Sequence, residues 1–194
     1  MTRIVVFDFD GTLIKGDSFI VFASRIFGKL AVAKALATEM FVLVGWQLRF
    51  VDNGYAKERV FSRLFKGITL QQLDSWGESF IADLEARIRP EIMCKLEEHQ
   101  KKGDKIYIIS ASLLQWIRPW AKCHGINNIL STEPEIDRKG ILTGRFATQN
   151  CYGEEKVRRL LEAEPERDGY NLTVYGDSKG DFDLFAIADR FERV

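Results

Sequence analysis

The chain has 194 residues, with 28 Lys+Arg against 28 Asp+Glu and a formal net charge of zero. That balance argues against a nucleic-acid binder held by phosphate contacts, which shows a basic excess or stripe. The 46% hydrophobic and 12% aromatic content excludes an acidic disordered tail and suits a packed core of one domain, with room for an insertion.

In chain order, the first element is an apolar run at residues 4–7, cut by Asp8 and so too short for the core of a signal peptide. Similar runs at 105–109 and 172–175 share its Val, Ile, Leu and Tyr content. Each ends at a small or acidic residue and precedes a helical pattern, the signature of a buried parallel sheet. The helices expected after them span 112–123, 154–164 and 181–188. Ile129-Leu130 suggests a fourth strand and 190–194 a last short one. Residues 135–146, turning at Arg138-Lys139-Gly140, suggest a hairpin.

Residues 17–88 read differently. They hold no Pro and show no strand-like alternation, and their apolar residues recur at helical spacing, as in Phe19, Phe22, Ala23, Ile26 and Phe27. Breaks at Asp52-Asn53-Gly54 and Lys66-Gly67 divide them into about four helices. So long a crossover reads as an inserted helical subdomain. Pro90 then opens a helix over 91–102. The fold class predicted is α/β, with core residues 1–16 and 89–194 and a helical insertion at 17–88. The most membrane-like stretch, residues 40–48, is far short of the ~20 residues that a span requires. The three Cys lie at long spacings with no CxxC, so neither a disulfide framework nor a zinc site is expected. The expectation is therefore a cytoplasmic protein without a membrane span.

The placement of charge carries the chemistry. Asp8 and Asp10 leave the first strand at its carboxyl end, where open α/β sheets bind ligands. Asp177 and Asp181 stand at the same edge after the last core strand, with Gly176 and Gly180 allowing close backbone approach. Four carboxylates without an Arg cluster call for a hard cation, and magnesium fits because it keeps positions for water and phosphate oxygens. Ser110 ends the second strand, where its hydroxyl and the amides of Ala111 and Ser112 could cradle an anion. Lys156 stands at a helix start, against the helix dipole, a placement that stability alone does not favour.

The set Asp8-Phe9-Asp10-Gly11-Thr12, then Ser110, then Lys156, then Gly176-Asp177 with Asp181 resembles the haloacid dehalogenase (HAD) superfamily of phosphohydrolases, in order and strand context over essentially the whole chain. The insertion after the first motif looks like the cap of the phosphoserine-phosphatase-like branch (HAD-IB hydrolases). The resemblance implies a three-layer Rossmann-like parallel sheet core with a helical-bundle cap. It implies a Mg2+-dependent phosphatase acting through an aspartyl-phosphate on a small-molecule phosphomonoester. Asp8 would be nucleophile and Asp10 general acid and base; Asp8, Asp10 (through its carbonyl), Asp177 and Asp181 would hold the metal. Gly11, Ser110, Ala111 and Lys156 would bind phosphate. In that branch a Glu at the position of Asp17 helps bind the substrate amine. Asp17 is a candidate for that role here and equally for a helix cap. Arg59 and Arg63 are candidates for a substrate carboxylate. A carboxylate at Asp10 favours ester hydrolysis over dehalogenation. Two other readings are a phospho-accepting receiver domain and a catalytically silent binding module on the same scaffold. The first lacks the helical insertion, and the second has no need of the full set.

Overall fold

The computed structural model describes residues 2–194. Five parallel strands form the central sheet in the order β3-β2-β1-β6-β7: β1 (Thr2–Phe7), β2 (Lys105–Leu113), β3 (Asn128–Thr132), β6 (Tyr170–Gly176) and β7 (Arg190–Arg193). β1 lies at the centre, in register with Lys105–Ile108 on one side and Tyr170–Tyr175 on the other. Its inner residues Ile4 to Phe7 are buried on both faces, which is why they read as a continuous apolar run. Both acidic segments leave adjacent strands, β1 and β6, at the same end.

Helices α7 (Pro90–Lys101), α8 (Leu114–Cys123), α9 (Glu154–Ala163) and α10 (Phe182–Ile187) flank the sheet, with Pro90 at the first turn of α7 as expected. The small hairpin pairs β4 (Pro134–Ile136) with β5 (Leu142–Phe146). Its turn is held by Asp137, whose Oδ1 accepts from the amides of Lys139 and Ile141 at 2.8 and 2.9 Å.

Between β1 and α7 lie six helices rather than about four: α1 (Ser18–Phe27), α2 (Lys29–Thr38), α3 (Met40–Gln47), α4 (Asn53–Phe65), α5 (Leu70–Ser79) and α6 (Ile81–Glu85). Besides the breaks at Asp52-Asn53-Gly54 and Lys66-Gly67, the chain breaks at Gly28, Glu39 and Phe80; Gly28, at φ 84°, is an ordinary turn former, whereas Glu39 and Phe80 are not and are invisible by composition. The segment enters and leaves through neighbouring chains: Ile14 bridges Ile88, and Arg89 N–H donates to the Leu13 carbonyl at 2.9 Å. It shares one apolar cluster with a face of the sheet, and Phe22 stacks on Trp116 of α8 at 4.5 Å between centroids. Gly77 of α5 permits this approach, since a Cβ there would lie 2.0 Å from the Gln115 carbonyl oxygen.

A second difference is at β2, which runs past Ser110 to Leu113, so α8 starts at Leu114 and not at residue 112. Leu113 keeps an extended backbone, φ −80° and ψ 140°, and its neighbour Ser112 is tied to groups on β1 and α1 described below. Ala111 and Ser112 therefore do not form a helix N-terminus. No single helix among the described residues is long and apolar enough to cross a membrane; α2 and α3 together have the length and composition but bend by 69° between them.

Candidate active site

The carboxyl ends of β1, β2 and β6 open into a cavity of about 610 Å3 beneath the helical segment. Asp8 is buried at the tip of β1. Lys156, 2% exposed, donates from Nζ to Asp8 Oδ1 at 2.6 Å and to Asp181 Oδ1 at 2.7 Å. Burial opposes the charge of Lys156, but the Asp8 and Asp181 carboxylates outweigh it and hold the ammonium well above its ordinary pKa. Asp8 itself is pushed up to about 7, chiefly by burial, with Lys156 opposing and Asp181 adding. Gly153, with φ 59°, turns the chain into α9 and brings Lys156 to this point from within the helix's first turn.

Asp177 follows β6. Burial and then the Asp181 carboxylate raise its pKa, and its Oδ1 is buried with no hydrogen-bond partner among the described residues. One oxygen from each of Asp8, Asp177 and Asp181 lies within 4.8 Å of the others. An orphaned, buried carboxylate oxygen in such a trio is costly unless a cation meets it, so these residues fit a hard divalent ion. Two glycines make room: a Cβ on Gly11 would lie 2.3 Å from Asp177 Oδ2, and one on Gly176 would lie 2.5 Å from Asp181 Cγ. Asp181 is also tied to its own loop, its Oδ2 accepting from the Ser178 amide and hydroxyl, both at 3.1 Å. It thus combines loop capping with membership of the acidic cluster.

The Asp10 carboxylate is not part of that trio. Its Oδ1 accepts from the Ser18 amide at 2.9 Å, and its Oδ2 accepts from the Ser112 hydroxyl. Burial, and next the Asp17 carboxylate, raise its pKa, which favours the protonated form. Ser112 also receives the Ser18 hydroxyl at 3.0 Å, and Trp116 Nε1 donates to Ser18 Oγ at 2.9 Å. This chain of bonds holds Ser112 extended and accounts for the late start of α8. Ser110 is buried and its Oγ accepts from the Ser112 amide at 3.1 Å; Ser110 and Ala111 both line the cavity, as does Gly11.

Above these lie residues of the helical segment. Asp17 caps α1, its Oδ1 accepting from the Ile20 amide at 3.1 Å, and also lines the cavity. Arg59 and Arg63 do not line it. Both, the candidates for a substrate carboxylate, pair instead with the buried Glu39 at the junction of α2 and α3, at 2.9 and 2.6 Å. The cation that α4 does present is Lys57, whose Nζ donates to the Ala111 carbonyl at 2.7 Å and whose pKa burial lowers. Asn53, Ala56, Lys57 and Val60 line the cavity at spacings of three and four, one face of α4. Nothing local in the sequence marks that face, so spacing alone does not single out Lys57.

A buried carboxylate at one strand end, a buried lysine bonded to it and two further carboxylates after the adjacent strand form a site of the phosphatase type on a Rossmann-like sheet. The haloacid dehalogenase-like hydrolase family matches residues 5–186, and the chain belongs to that family. It is 30% identical over 193 residues to Protein CicA of Caulobacter vibrioides, covering 96% of this chain and 83% of that one. It is 27% identical over 201 residues to a histidinol-phosphatase of Neisseria meningitidis, covering 96% and 87%. A phosphoserine phosphohydrolase-like protein from Francisella tularensis shares the fold, with TM-score 0.69 and 22% identity over 98% of this chain and 86% of the other.

Proposed function

We propose that the chain is a magnesium-dependent phosphomonoester phosphatase that works through an aspartyl-phosphate on Asp8 and acts on a small phosphorylated metabolite. The observation that carries this reading is the buried Asp8 carboxylate, bonded on one side to Lys156 and facing the unpartnered oxygen of Asp177. The phosphatase relatives support the reaction class, and the three free cysteines suit a cytoplasmic setting. In this reading residues 1–16 and 89–194 are the catalytic core and 17–88 the cap that roofs it.

Asp8 attacks phosphorus while the ester oxygen departs, and Asp10, whose pKa burial raises, gives that oxygen its proton. Asp10 then takes a proton from a water molecule that attacks the phosphoryl group and frees Asp8. Ser110, Lys156 and the amide of Ala111 hold the transferring oxygens; the Gly11 amide, expected to join them, donates instead to the Ile14 carbonyl at 2.9 Å, and Gly11 lines the cavity without offering that donor. Such fixed donors act through positioning and charge, on which phosphoryl transfer mostly depends. Asp8, Asp177, Asp181 and the Asp10 carbonyl would hold magnesium, which when bound neutralises charge on the phosphoryl group. Asp17 and Lys57 meet the leaving group. Among the described residues no arginine lines the cavity, so a substrate carboxylate would meet an ammonium rather than a guanidinium. The test is hydrolysis of an aryl phosphate by EDTA-treated protein on return of Mg2+; absence of turnover across a phosphomonoester panel would reject the reading.

A further inference from the structure

Helix α3 is Met-Phe-Val-Leu-Val-Gly-Trp-Gln, and none of its eight residues is buried. Within it Phe41 is 86% exposed and Met40 and Val44 are exposed, after it Leu48 is exposed and Phe50 is 86% exposed, and at the start of α2 Leu30 is 88% exposed. Large apolar side chains clustered this way on a surface mark an interaction site. The backbone holds them out. Arg49 takes the left-handed conformation, φ 64°, costly for a non-glycine residue. The next amide, of Phe50, bonds back to the Gly45 carbonyl at 2.8 Å, and Val51 packs against Gly45, where a Cβ would lie 2.7 Å from its Cγ2. The loop is thus anchored by Val51 while Leu48 and Phe50 face outward.

The exposed charges around this face are mostly positive, three cations against one acid, Asp52, which caps α4. Lys29, Lys34 and Arg49 are exposed and have no ion-pair partner among the described residues. The acid between them, Glu39, is buried and neutralised by Arg59 and Arg63. A second copy of the chain would present the same cations to these, whereas an anionic lipid surface complements them. The same helices also reach the active-site cavity: Leu36, Leu43 and Trp46 line it from within.

We propose that the α2–α3 edge lies on an anionic lipid surface, with Leu30, Phe41, Leu48 and Phe50 entering the headgroup boundary and Lys29, Lys34 and Arg49 meeting lipid phosphates. Docking of this kind places the cavity mouth, walled by Leu43 and Trp46, at the interface. The proposal goes beyond the phosphatase reading and stands on the surface alone.

The experiment is co-sedimentation of the full chain with large unilamellar vesicles of phosphatidylcholine, with and without phosphatidylglycerol. The chain is expected to pellet with the anionic vesicles, less so as salt rises. Phe41→Glu/Phe50→Glu should reduce this by more than about tenfold, since each ring loses its apolar transfer energy, and Lys29→Glu/Lys34→Glu should weaken it independently. Both variants should hydrolyse a soluble aryl phosphate as the wild type does, which separates this proposal from the phosphatase reading. It is overturned if the wild type stays in the supernatant with anionic vesicles, or if it pellets equally with phosphatidylcholine alone. It is also overturned if the Phe variant pellets undiminished, or if the wild type is a dimer that Phe41→Glu/Phe50→Glu dissociates while neither binds vesicles.

Discussion

The Ser18 amide donates to Asp10 Oδ1 at 2.9 Å, so the first residue of α1 grips the carboxyl to which the proposed reaction assigns the moving proton. The other oxygen is gripped by Ser112, across from β1 on β2. Entry into the helical segment and orientation of the acid are thus one structural event.

Removing half of that grip tests it. Ser112→Ala should lower kcat by about tenfold on an alkyl phosphate, a fraction of what a whole general acid supplies. It should change p-nitrophenyl phosphate turnover little, because that leaving group departs without a proton. Equal losses on both substrates would assign Ser112 to the fold instead.

Gly11 approaches Asp177 more closely than any side chain permits, at φ 78°. Gly11→Ala should displace the Asp177 carboxylate and raise the Mg2+ concentration for half-maximal activity by more than about tenfold. A magnesium titration followed by turnover checks this; an unchanged midpoint would remove Asp177 from the metal set.

Lys156 pairs with two buried carboxylates. Lys156→Met leaves Asp8 and Asp181 facing each other unpaired, and the metal-free variant should lose about 3–5 kcal/mol of stability in urea unfolding. Stability equal to the wild type would mean that the carboxylates are already neutral without it.

A fourth prediction lies away from the site. Asp104 is 3% exposed at the side chain and is bonded to His99 at 2.7 Å and Arg3 at 2.5 Å. Burial opposes its ionisation, but the His99 bond and then Arg3 prevail and lower its pKa. A depressed folded pKa contributes stability above the ordinary carboxylate pKa and loses it as pH falls through the folded value. Asp104→Asn should therefore cost about 1–2 kcal/mol at neutral pH, and the gap should close below about pH 4. Urea midpoints across pH, with a gap that persists in acid, would contradict this.

Much of this was legible beforehand because the strands are buried on both faces, which makes Ile4–Phe7 and its counterparts apolar throughout. The acidic motifs sit at fixed offsets from those strands, so Asp8, Asp177 and Asp181 could be placed at one edge without knowing the packing. What escaped depends on contacts between distant segments. The extended backbone through Ser112 is imposed by Asp10 and Ser18, 102 and 94 residues away. Arg59 and Arg63 turn to Glu39, some 20 and 24 residues earlier, which nothing local announces. Lys57 enters the cavity only because α4 shows that face to the core.

The most direct measurement of the central claim is the fate of Asp8 during turnover. Wild-type protein acid-quenched during hydrolysis of a phosphomonoester with Mg2+ should carry a hydroxylamine-labile phosphoryl group on the peptide containing Asp8. Asp8→Asn should carry none, with turnover abolished and its circular dichroism unchanged. A chain that turns over substrate without labelling that peptide, or an Asp8→Asn variant as active as the wild type, would contradict the account.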